Sequence, residues 1–534
     1  MTVKTIFSLA LTGAVLFGLS ACGGGGGATS SPTGSSVAPA APAAPPVTAP
    51  VTSADGSYAD PVVYSNAPNA SLPSATEGAA VTHHQITMNG KVIQYTATAG
   101  HLTATNPKTG APEASYFYIA YTADNTGTAT AKRPLTFFLS GGPGNSQSGL
   151  HIESFAPRRL VTNVPSLNEP ASPQLVDNPD SMIDTTDMVF LDEVGAGYSE
   201  AIAPNTNASF WGVDADAASY SNFITRYLAV NQRASSPLFL YGLSYGTARA
   251  TFVSKVLTNA GVKLSGLVLN SSLLNAGTSC QYYTLTQGKA GNCNGQLPTY
   301  AAIAAYHKVT TPATADLSAY LQEARAFTAT SYMPAVAAFA GAHTAPDPSL
   351  TAQLESYTGI ASAVWQTHMG LSGDDFIGRL LPNQVIGLHD SRVAVAFTSP
   401  LLRNDQDPSN SYLNATFGNC YLDYVNQELK YRSVSAYAQS IPNALVWNSM
   451  HNGTPVADAI PDLASTLAQN PSLKILSLNG YYDLVTPFYQ TELDMARLGA
   501  NANIQFKYYA GGHDTFQDNV ARPLMKADMA AFYQ

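Results

Sequence analysis

The sequence Gly-Leu-Ser-Tyr-Gly at positions 242–246 has the spacing of a reactive serine turn. It lies between an apolar run at 238–242, which predicts a buried strand, and a helical pattern at 247–257. A sharp turn from strand to helix exposes the serine hydroxyl, and the flanking glycines relieve the crowding. Backbone N–H groups and the positive end of the following helix stabilise an oxyanion there. The pattern predicts that Ser244 is a nucleophile that attacks carbonyl groups.

Two further side chains complete the chemistry of this serine. Asp483 follows an apolar run at 474–478, and His513 follows another at 504–509. The chain order Ser, Asp, His is that of α/β-hydrolases, in which each member lies at a strand end. We therefore predict the triad Ser244, Asp483 and His513, with His513 as general base and Asp483 orienting its imidazole.

A glycine-rich segment predicts the oxyanion hole. The sequence Gly-Gly-Pro-Gly at 141–144 follows an apolar run at 135–139. Residues without side chains allow backbone N–H groups to approach a substrate closely. We expect the N–H groups of Gly142 and Tyr245 to hold the oxyanion. This chemistry requires neither a metal nor an organic cofactor.

The surrounding pattern indicates the elements that position these groups. A turn at Asn89-Gly90 and a strand at 116–122 predict an antiparallel start. Strand and helix patterns then alternate, which indicates a parallel sheet covered by helices: strands at 135–139, 187–191, 238–242 and 264–270, and helices at 214–228, with Asp214 as N-cap, and 247–257.

A long stretch interrupts this alternation. Residues 274–445 are mainly helical in pattern, including 317–327 and 333–339, with a polar loop at 404–410. We predict an α/β-hydrolase core at 58–273 and 446–534, with residues 274–445 inserted as a mainly helical cap over the active site.

Composition excludes several classes of protein. Of 534 residues, 45% are apolar and 29 are tyrosines, so the chain has material for a large core. Lys and Arg number 25 against 35 Asp and Glu, a net charge of -10. Nucleic-acid binding depends on basic residues that neutralise phosphates, so we expect no nucleic-acid partner.

The N-terminus has the pattern of an export signal. Lys4 precedes an apolar stretch at 6–18 that is too short to span a membrane, and Leu-Ser-Ala-Cys follows at 19–22. This end resembles the lipobox of bacterial lipoproteins, which implies a signal at 1–21, lipidation of Cys22 and a membrane anchor. Residues 22–57, rich in Gly, Ala, Pro, Ser and Thr, predict a flexible tether. Gly23 after the cysteine points to the outer membrane, and an ordinary secretory signal is the alternative.

Three cysteines remain after Cys22. An exported protein permits disulfides, and Cys280 with Cys293 would close a short loop, although sequence alone does not determine the pairing with Cys420. No metal-binding spacing of Cys or His occurs, so we assign no metal.

Over residues 134–533 the chain resembles the serine carboxypeptidases, especially their bacterial members. The similar segments are 137–144 to LWLNGGPG, 189–199 to FLDxPxGTGFS, 242–246 to GESYG, 480–483 to GDxD and 512–513 to the family's terminal GH, with 156–159 and 387–392 similar to bacterial members. The resemblance implies removal of C-terminal residues from peptides by the triad and oxyanion hole predicted above.

Two positions depart from that family. The Asn of NGGPG and the Glu of GESYG bind the peptide's terminal carboxylate there, whereas this chain has Ser140 and Leu243. The expected substrate-binding positions are therefore Ser140, Gly141 and Leu243, of which Leu243 cannot hydrogen-bond through its side chain. Arg158, Arg159 and Arg392 are candidate substitute cations, and structural ion pairing is their alternative role.

Other functions remain open at this point. The proline iminopeptidase and tripeptidyl aminopeptidase group shares GGPG, GxSYGT and D-x-x-TP segments, as at 483–487, but carries an Arg in DxRGTG that residues 192–197 lack. An esterase acting on small acyl substrates uses the same triad. A non-catalytic ligand-binding lipoprotein is a fourth alternative. The sequence does not indicate an oligomeric state.

Overall fold

The computed structural model describes residues 54–124, 132–167, 173–280, 293–402, 407–417 and 419–534. The predicted signal, Cys22 and most of the predicted tether lie outside these ranges. The last four residues of the predicted tether are described, and Gly56 forms a backbone bridge with Val81 of the sheet. Within the described ranges, no helix has the length and hydropathy to cross a membrane.

Sixteen strands are distributed over the described residues. In chain order they are β1 (Tyr58–Asp60), β2 (Ala79–Met88), β3 (Lys91–Thr105), β4 (Pro112–Ala123), β5 (Leu135–Leu139), β6 (Arg158–Leu160), β7 (Leu175–Asp177), β8 (Asp187–Leu191), β9 (Glu200–Ala201), β10 (Leu238–Leu243), β11 (Gly266–Asn270), β12 (Gln384–Ile386), β13 (Ala394–Ala396), β14 (Tyr431–Ser433), β15 (Lys474–Gly480) and β16 (Ile504–Tyr509).

The helices alternate with the later strands and fill the insertion. They are α1 (Ser148–Glu153), α2 (Val213–Val230), α3 (Tyr245–Asn259), α4 (Leu297–Tyr306), α5 (Leu317–Phe327), α6 (Met333–Ala342), α7 (Pro348–Thr358), α8 (Ser362–Trp365), α9 (Gly373–Ile377), α10 (Pro408–Phe417), α11 (Cys420–Asp423), α12 (Ile460–Gln469), α13 (Phe488–Ala496) and α14 (Ala521–Phe532). Short 3-10 turns lie at Met182–Asp184, Asn207–Phe210, Asn294–Gln296, Pro400–Leu402, Ala444–Val446 and Thr515–Gln517, and π turns at Thr328–Tyr332 and Tyr424–Glu428.

One large mixed sheet organises the molecule. Its order is β16-β15-β11-β10-β5-β8-β4-β3-β2, with β9 beside β4. The strands from β8 to β16 in this order are parallel, whereas β2, β3 and β4 are antiparallel to their neighbours. The β2–β3 turn has positive φ at Asn89 (49°) and Gly90 (74°), as the sequence predicts. This is the predicted α/β-hydrolase architecture, with the antiparallel strands at one edge.

Side chains of the parallel strands point alternately to two cores. Phe137 and Leu139 of β5 pack with residues of α2, α3 and α12, whereas Phe138 packs with residues of α1 and α14 on the opposite face. Every residue of β5, β8, β10 and β11 is buried, as in a sheet covered on both faces. Because both faces of the sheet are covered, polar side chains can contact a substrate at the strand ends.

The start of α2 differs from the prediction. Asp214 was expected as its N-cap, but the cap is Gly212 and the helix begins at Val213. The Asp214 side chain instead bonds the Nδ1 of His451 at 2.6 Å. A negative residue in the first helical turn is favoured by the helix dipole, so Asp214 stabilises the same end from a different position.

The predicted insertion divides into two parts. Helices α4 to α9 form a separate apolar core that also receives Tyr482, Leu484 and Phe488. In contrast, the chain around α11 packs into the core between the sheet and α1, and β14 pairs with β1. The predicted loop at 404–410 is helical from Pro408, where α10 begins, and residues 403–406 lie outside the described residues. The predicted disulfide between Cys280 and Cys293 is present at the start of the insertion, with a Cα–Cα distance of 4.6 Å.

Candidate active site

The reactive serine turn has the predicted strand-to-helix form. Ser244 lies between β10 and α3 with φ 58° and ψ -127°, a conformation that a residue with a side chain rarely adopts. Its N–H donates to the carbonyl of Asn270 (3.0 Å) and its carbonyl accepts from Thr247 N (2.9 Å). A Cβ on Gly246 would lie 2.2 Å from the carbonyl oxygen of Leu139, so only glycine permits this approach. The neighbouring strands thus hold Ser244 in its strained position.

The glycine loop after β5 lies against this serine. A Cβ added to Gly141 would lie 2.8 Å from the Cβ of Ser244 and 3.3 Å from its Oγ. Gly142 has φ +114°, which favours glycine, and no described group accepts its N–H. Tyr245, the other predicted donor, is the first residue of α3. Both predicted oxyanion donors therefore belong to segments that adjoin Ser244.

A buried arginine, Arg249, hydrogen-bonds the start of the glycine loop. Arg249 of α3 donates to the carbonyl of Ser140 (2.5 Å), to Asp216 (Nε to Oδ2, 2.7 Å) and to Glu193. The same Glu193 carboxylate accepts the N–H of Gly144 (3.0 Å). Arg249 is fully buried, and removing one partner of such a network leaves an uncompensated charge. The network connects the glycine loop, α3 and α2.

The predicted histidine and aspartate are paired at the next two strand ends. His513 Nδ1 donates to Asp483 Oδ2 at 2.9 Å, and both side chains are buried, with exposures of 5% and 0%. Asp483 Oδ1 accepts the N–H groups of Val485 (2.8 Å) and Thr486 (2.9 Å). This bond occupies Nδ1 of His513, so that Nε2 is the nitrogen not bonded to Asp483.

A serine connects the histidine segment to the nucleophile turn. Ser271, directly after Asn270, donates its hydroxyl to the carbonyl of His513 at 2.6 Å. Asn270 in turn accepts the N–H of Ser244. Two hydrogen bonds through adjacent residues thus link Ser244 and His513 at one edge of the sheet.

The hydroxyl of Thr486 was not found from the sequence. It donates to Asp483 Oδ2 (2.7 Å) and lies 3.1 Å from Nδ1 of His513. It stands in the Asp-x-x-Thr-Pro segment, so its spacing from Asp483 is a signal that the sequence did contain. Thr486 limits the orientations open to both members of the pair.

The predicted substrate-binding positions are less open than expected. Ser140 is 4% exposed, and its hydroxyl has no hydrogen-bond partner in the described part of the chain. Leu243 is the last residue of β10 and packs in the core on the α1 face. Ser140 therefore has an unused hydrogen bond, whereas Leu243 contributes only apolar surface.

Two of the three candidate substitute arginines are used in structural ion pairs. Arg158 binds Asp177 (2.8 Å) and Glu428 (3.0 Å). Arg392 is buried and binds Asp390 (2.6 Å) and Asp518 (2.8 Å). Arg159 donates to the carbonyl of Leu160 (3.3 Å), and burial lowers its pKa to about 10.

The insertion contributes a second histidine that sequence reasoning did not find. The N–H of His513 donates to the carbonyl of His389 (2.6 Å), and the two rings are perpendicular with centroids 5.3 Å apart. His389 Nδ1 bonds Asp407 Oδ2 at 2.5 Å. His389 lies in segment 387–392, whose resemblance to bacterial family members does not indicate a role for this histidine.

A buried acid also lies against the histidine segment. Glu153, at the end of α1, accepts a hydrogen bond from Nε2 of Gln517 (2.6 Å), in the turn that follows His513. Burial and the charge of Asp514 raise the pKa of Glu153. No spacing in the sequence distinguishes Glu153 from a surface acid, because its partner is 364 residues away. Within the described residues, no group of three or more His, Cys, Asp or Glu side chains is placed to hold a metal ion.

Comparison with known proteins places this chain in a family. The family model "Serine carboxypeptidase" matches residues 88–520. Among solved structures, the chain is similar to Kex1Δp, a prohormone-processing carboxypeptidase from Saccharomyces cerevisiae (15% identity, TM-score 0.48, covering 82% of this chain and 91% of that one). It is also similar to a proline iminopeptidase from Mycobacterium smegmatis (13%, TM-score 0.33, covering 85% and 97%).

A search of curated proteins gives no match. The family match nevertheless covers more than half of the chain and includes the serine turn, the aspartate and the histidine. The resemblance predicted from the sequence is thereby confirmed. The chain belongs to the serine carboxypeptidase family and is a serine carboxypeptidase-like peptidase.

Proposed function

We propose that this peptidase removes residues from the C-terminus of peptides through an acyl-enzyme on Ser244, with His513 as general base and Asp483 as its orienting partner. The observation that carries the proposal is the buried 2.9 Å bond between His513 and Asp483 at the strand ends next to the Ser244 turn. A histidine held by a carboxylate at a strained serine is the arrangement that acyl transfer requires.

The first half of the reaction forms the acyl-enzyme. Nε2 of His513 takes the hydroxyl proton as Ser244 Oγ attacks the scissile carbonyl carbon, and the C–O bond forms. Asp483 stabilises the resulting imidazolium. His513 then gives the proton to the leaving nitrogen, the C–N bond breaks, and the C-terminal residue leaves. In the second half, water attacks the acyl carbon as His513 takes its proton, the bond from that carbon to Ser244 Oγ breaks, and His513 returns the proton to this oxygen.

The developing negative charge is held by backbone donors. The N–H of Gly142, which no described residue accepts, and the N–H of Tyr245 at the start of α3 are the candidate donors. Each such donor contributes about 3 to 4 kcal/mol to lowering the barrier. The Arg249 network supports this role by holding the carbonyl of Ser140 and, through Glu193, the N–H of Gly144.

The test combines a nucleophile variant with peptides blocked at either end. We expect Ser244→Ala to lose about five to six orders of magnitude in kcat, because serine and histidine act as one unit. A matched control is Ser272→Ala, which removes a buried hydroxyl just beyond the neighbouring strand end. A fluorophosphonate probe should label the wild-type protein and the Ser272→Ala variant but not Ser244→Ala.

The peptide series distinguishes the ends of the substrate. Peptides with a free C-terminus, a free N-terminus or both ends blocked are compared by the products released. Cleavage that is unchanged when the C-terminus is blocked contradicts the carboxypeptidase proposal, and dependence on a free N-terminus would instead support an aminopeptidase. Hydrolysis of small esters alone would support an esterase.

We also propose that Cys22 carries a lipid that anchors the protein to a membrane, the outer membrane in particular. The support is the Leu-Ser-Ala-Cys segment and the Gly/Ala/Pro/Ser/Thr-rich stretch that follows it. The test is metabolic labelling with a fatty acid, followed by membrane fractionation. We expect label and membrane association in the wild type and neither in Cys22→Ser; equal labelling of the two contradicts the anchor.

A further inference from the structure

The edge of the active site contains a histidine that the proposed mechanism does not use. His389 follows β12 and lies against the catalytic histidine, with its carbonyl bonded to His513 N (2.6 Å) and its ring 5.3 Å from the His513 ring. The His389 side chain keeps 29% of its surface exposed, whereas that of His513 keeps 5%. His389 is thus a partly open imidazole next to the reacting groups.

A buried carboxylate holds His389 in its cationic form. Asp407 Oδ2 accepts Nδ1–H (2.5 Å) and the backbone N–H (2.9 Å) of His389. Asp407 Oδ1 accepts Leu388 N (3.1 Å), Ser409 N (3.0 Å) and Ser409 Oγ (2.5 Å). Five donors keep this carboxylate ionised, and an ionised partner favours the imidazolium.

Other charged groups around His389 act in the same direction. Asp514 and Asp483, from the loops after β16 and β15, add to the effect of Asp407, so that the pKa of His389 rises to about 9 although burial opposes it. On its own segment, Asp390 and Arg392 are paired with each other. His513 is the other titratable ring in contact with it.

A carboxypeptidase substrate brings a negative charge to this place. Its terminal carboxylate is one residue beyond the scissile bond, and the leaving nitrogen must come within hydrogen-bond reach of His513. One residue spans at most about 3.6 Å, so the carboxylate lies within about 7 Å of the His513 imidazole. The ring of His389, 5.3 Å away, is within that distance.

The other buried or half-buried arginines near the site have protein carboxylates as partners. Arg249 is paired with Glu193 and Asp216, and Arg392 with Asp390 and Asp518. Arg159 is the remaining rival, because it makes no ion pair with a carboxylate among the described residues.

We propose that His389, held by Asp407, is the cation that binds the terminal carboxylate of the substrate and so determines the preference for free C-termini. This inference rests on the proposed function. In this proposal His389, a residue of the insertion, supplies the positive charge for the carboxylate that Ser140 and Leu243 cannot supply.

The position of His389 also couples binding to chemistry. A positive ring beside His513 opposes the positive charge that His513 gains when Ser244 attacks. A substrate carboxylate on His389 cancels that opposition, whereas a C-terminal amide does not. The preference for free acids should therefore appear in kcat as well as in KM.

The test compares two peptides that release the same terminal residue, one as the free acid and one as the amide. The variants are His389→Gln, His389→Lys, Asp407→Asn, the rival Arg159→Gln, and the control His307→Gln. His307 is the C-cap of α4, in the insertion, and its Nε2 bonds the carbonyl of Ser391 (2.7 Å). Fluorophosphonate labelling of Ser244 reports how much of each variant has an intact site.

The free-acid to amide ratio of kcat/KM should fall about 10- to 100-fold in His389→Gln, as expected for loss of a charged hydrogen bond. His389→Lys should keep most of the ratio, and His307→Gln should match the wild type. An unchanged ratio in His389→Gln, an equal loss in His389→Lys, or a loss in Arg159→Gln alone overturns the inference.

The wild-type pH profile tests the same point without a substitution. The imidazolium is present below its pKa, so kcat/KM for the free acid should fall as pH rises through about 9, and that for the amide should not. Parallel profiles for the two substrates overturn the inference. A wild-type protein that cleaves neither peptide contradicts the proposed function instead, so the two failures are distinguishable.

Discussion

Two histidine–aspartate pairs lie side by side at the active site, and they differ in what surrounds them. His513 and Asp483 are joined at 2.9 Å, and His389 and Asp407 at 2.5 Å. In each pair, Nδ1 faces the carboxylate, and backbone N–H groups and one hydroxyl also donate to it. Residue types and bond lengths alone do not tell the two pairs apart.

Their positions in the fold do. His513 and Asp483 follow strands of the main sheet next to the Ser244 turn, and both are buried. His389 belongs to the insertion and retains 29% side-chain exposure. A buried imidazole beside the Ser244 turn is suited to proton transfer, whereas a more open imidazole that a carboxylate keeps protonated near neutral pH is suited to binding an anion. The same side chains therefore serve chemistry in one pair and recognition in the other.

The largest expected effect is a loss of kcat on substitution of the pair His513–Asp483. Asp483→Asn should lower kcat about 10³- to 10⁴-fold on every substrate, because the imidazole loses both its orientation and its counter-charge. Steady-state hydrolysis of the free-acid and amide peptides measures it. A loss confined to the free-acid peptide would mean that the roles of the two pairs are exchanged.

The corresponding substitution in the other pair, Asp407→Asn, should change the preference for free-acid over amide substrates. Asp407→Asn is expected to reduce the free-acid to amide ratio about tenfold near pH 8, because the pKa of His389, about 9 in the wild type, falls without the carboxylate. The alkaline limb of the free-acid profile should move to lower pH. An equal fall in activity on both peptides would contradict the assigned role.

The same pair should influence stability with pH. The pKa of His389 is raised from 6.5 to about 9 in the folded protein, so its contribution to stability is complete below pH 6.5 and is lost as pH rises to 9. The pKa of Asp407 is lowered, so its contribution is present above 3.8 and is lost in acid. Thermal unfolding of the wild type should therefore show a larger fall in Tm between pH 6.5 and 9 than that of Asp407→Asn.

The smallest expected effects come from the hydroxyl that supports each carboxylate. Thr486→Val should lower kcat about three- to tenfold on both peptides, since Asp483 keeps its two backbone donors. Ser409→Ala should change only the free-acid ratio, about two- to threefold, because it removes one of five donors to Asp407. If both variants lost activity equally on the two peptides, or both changed only the free-acid to amide ratio, the distinction between the pairs would be contradicted.

The positions of His513 and Asp483 could be predicted because local signals mark them. Ser244, Asp483 and His513 each follow a short apolar run, and glycines adjoin the serine and the histidine. Short apolar strands have strong sequence patterns, so β5, β8 and β16 have the predicted bounds, although β16 lies at the sheet edge and is mostly half-buried. The helix boundaries were less certain, as the N-cap at Gly212 in place of Asp214 shows, because either residue type can begin a helix.

The pair His389–Asp407 could not be predicted, because the resemblance of segment 387–392 to bacterial family members gives neither the partner nor the role of His389. His389 and Asp407 are 18 residues apart in a stretch with little regular pattern, and each looks like a surface residue. The environment of Glu153 also depends on a segment that it meets only after folding. The sequence by itself determined the main strands, the serine turn and the positions of Asp483 and His513 after strands, since these depend on short-range periodicity and turn chemistry. Only the tertiary structure decided which charges lie beside His513, because charge pairing depends on distances between segments that are remote in the chain.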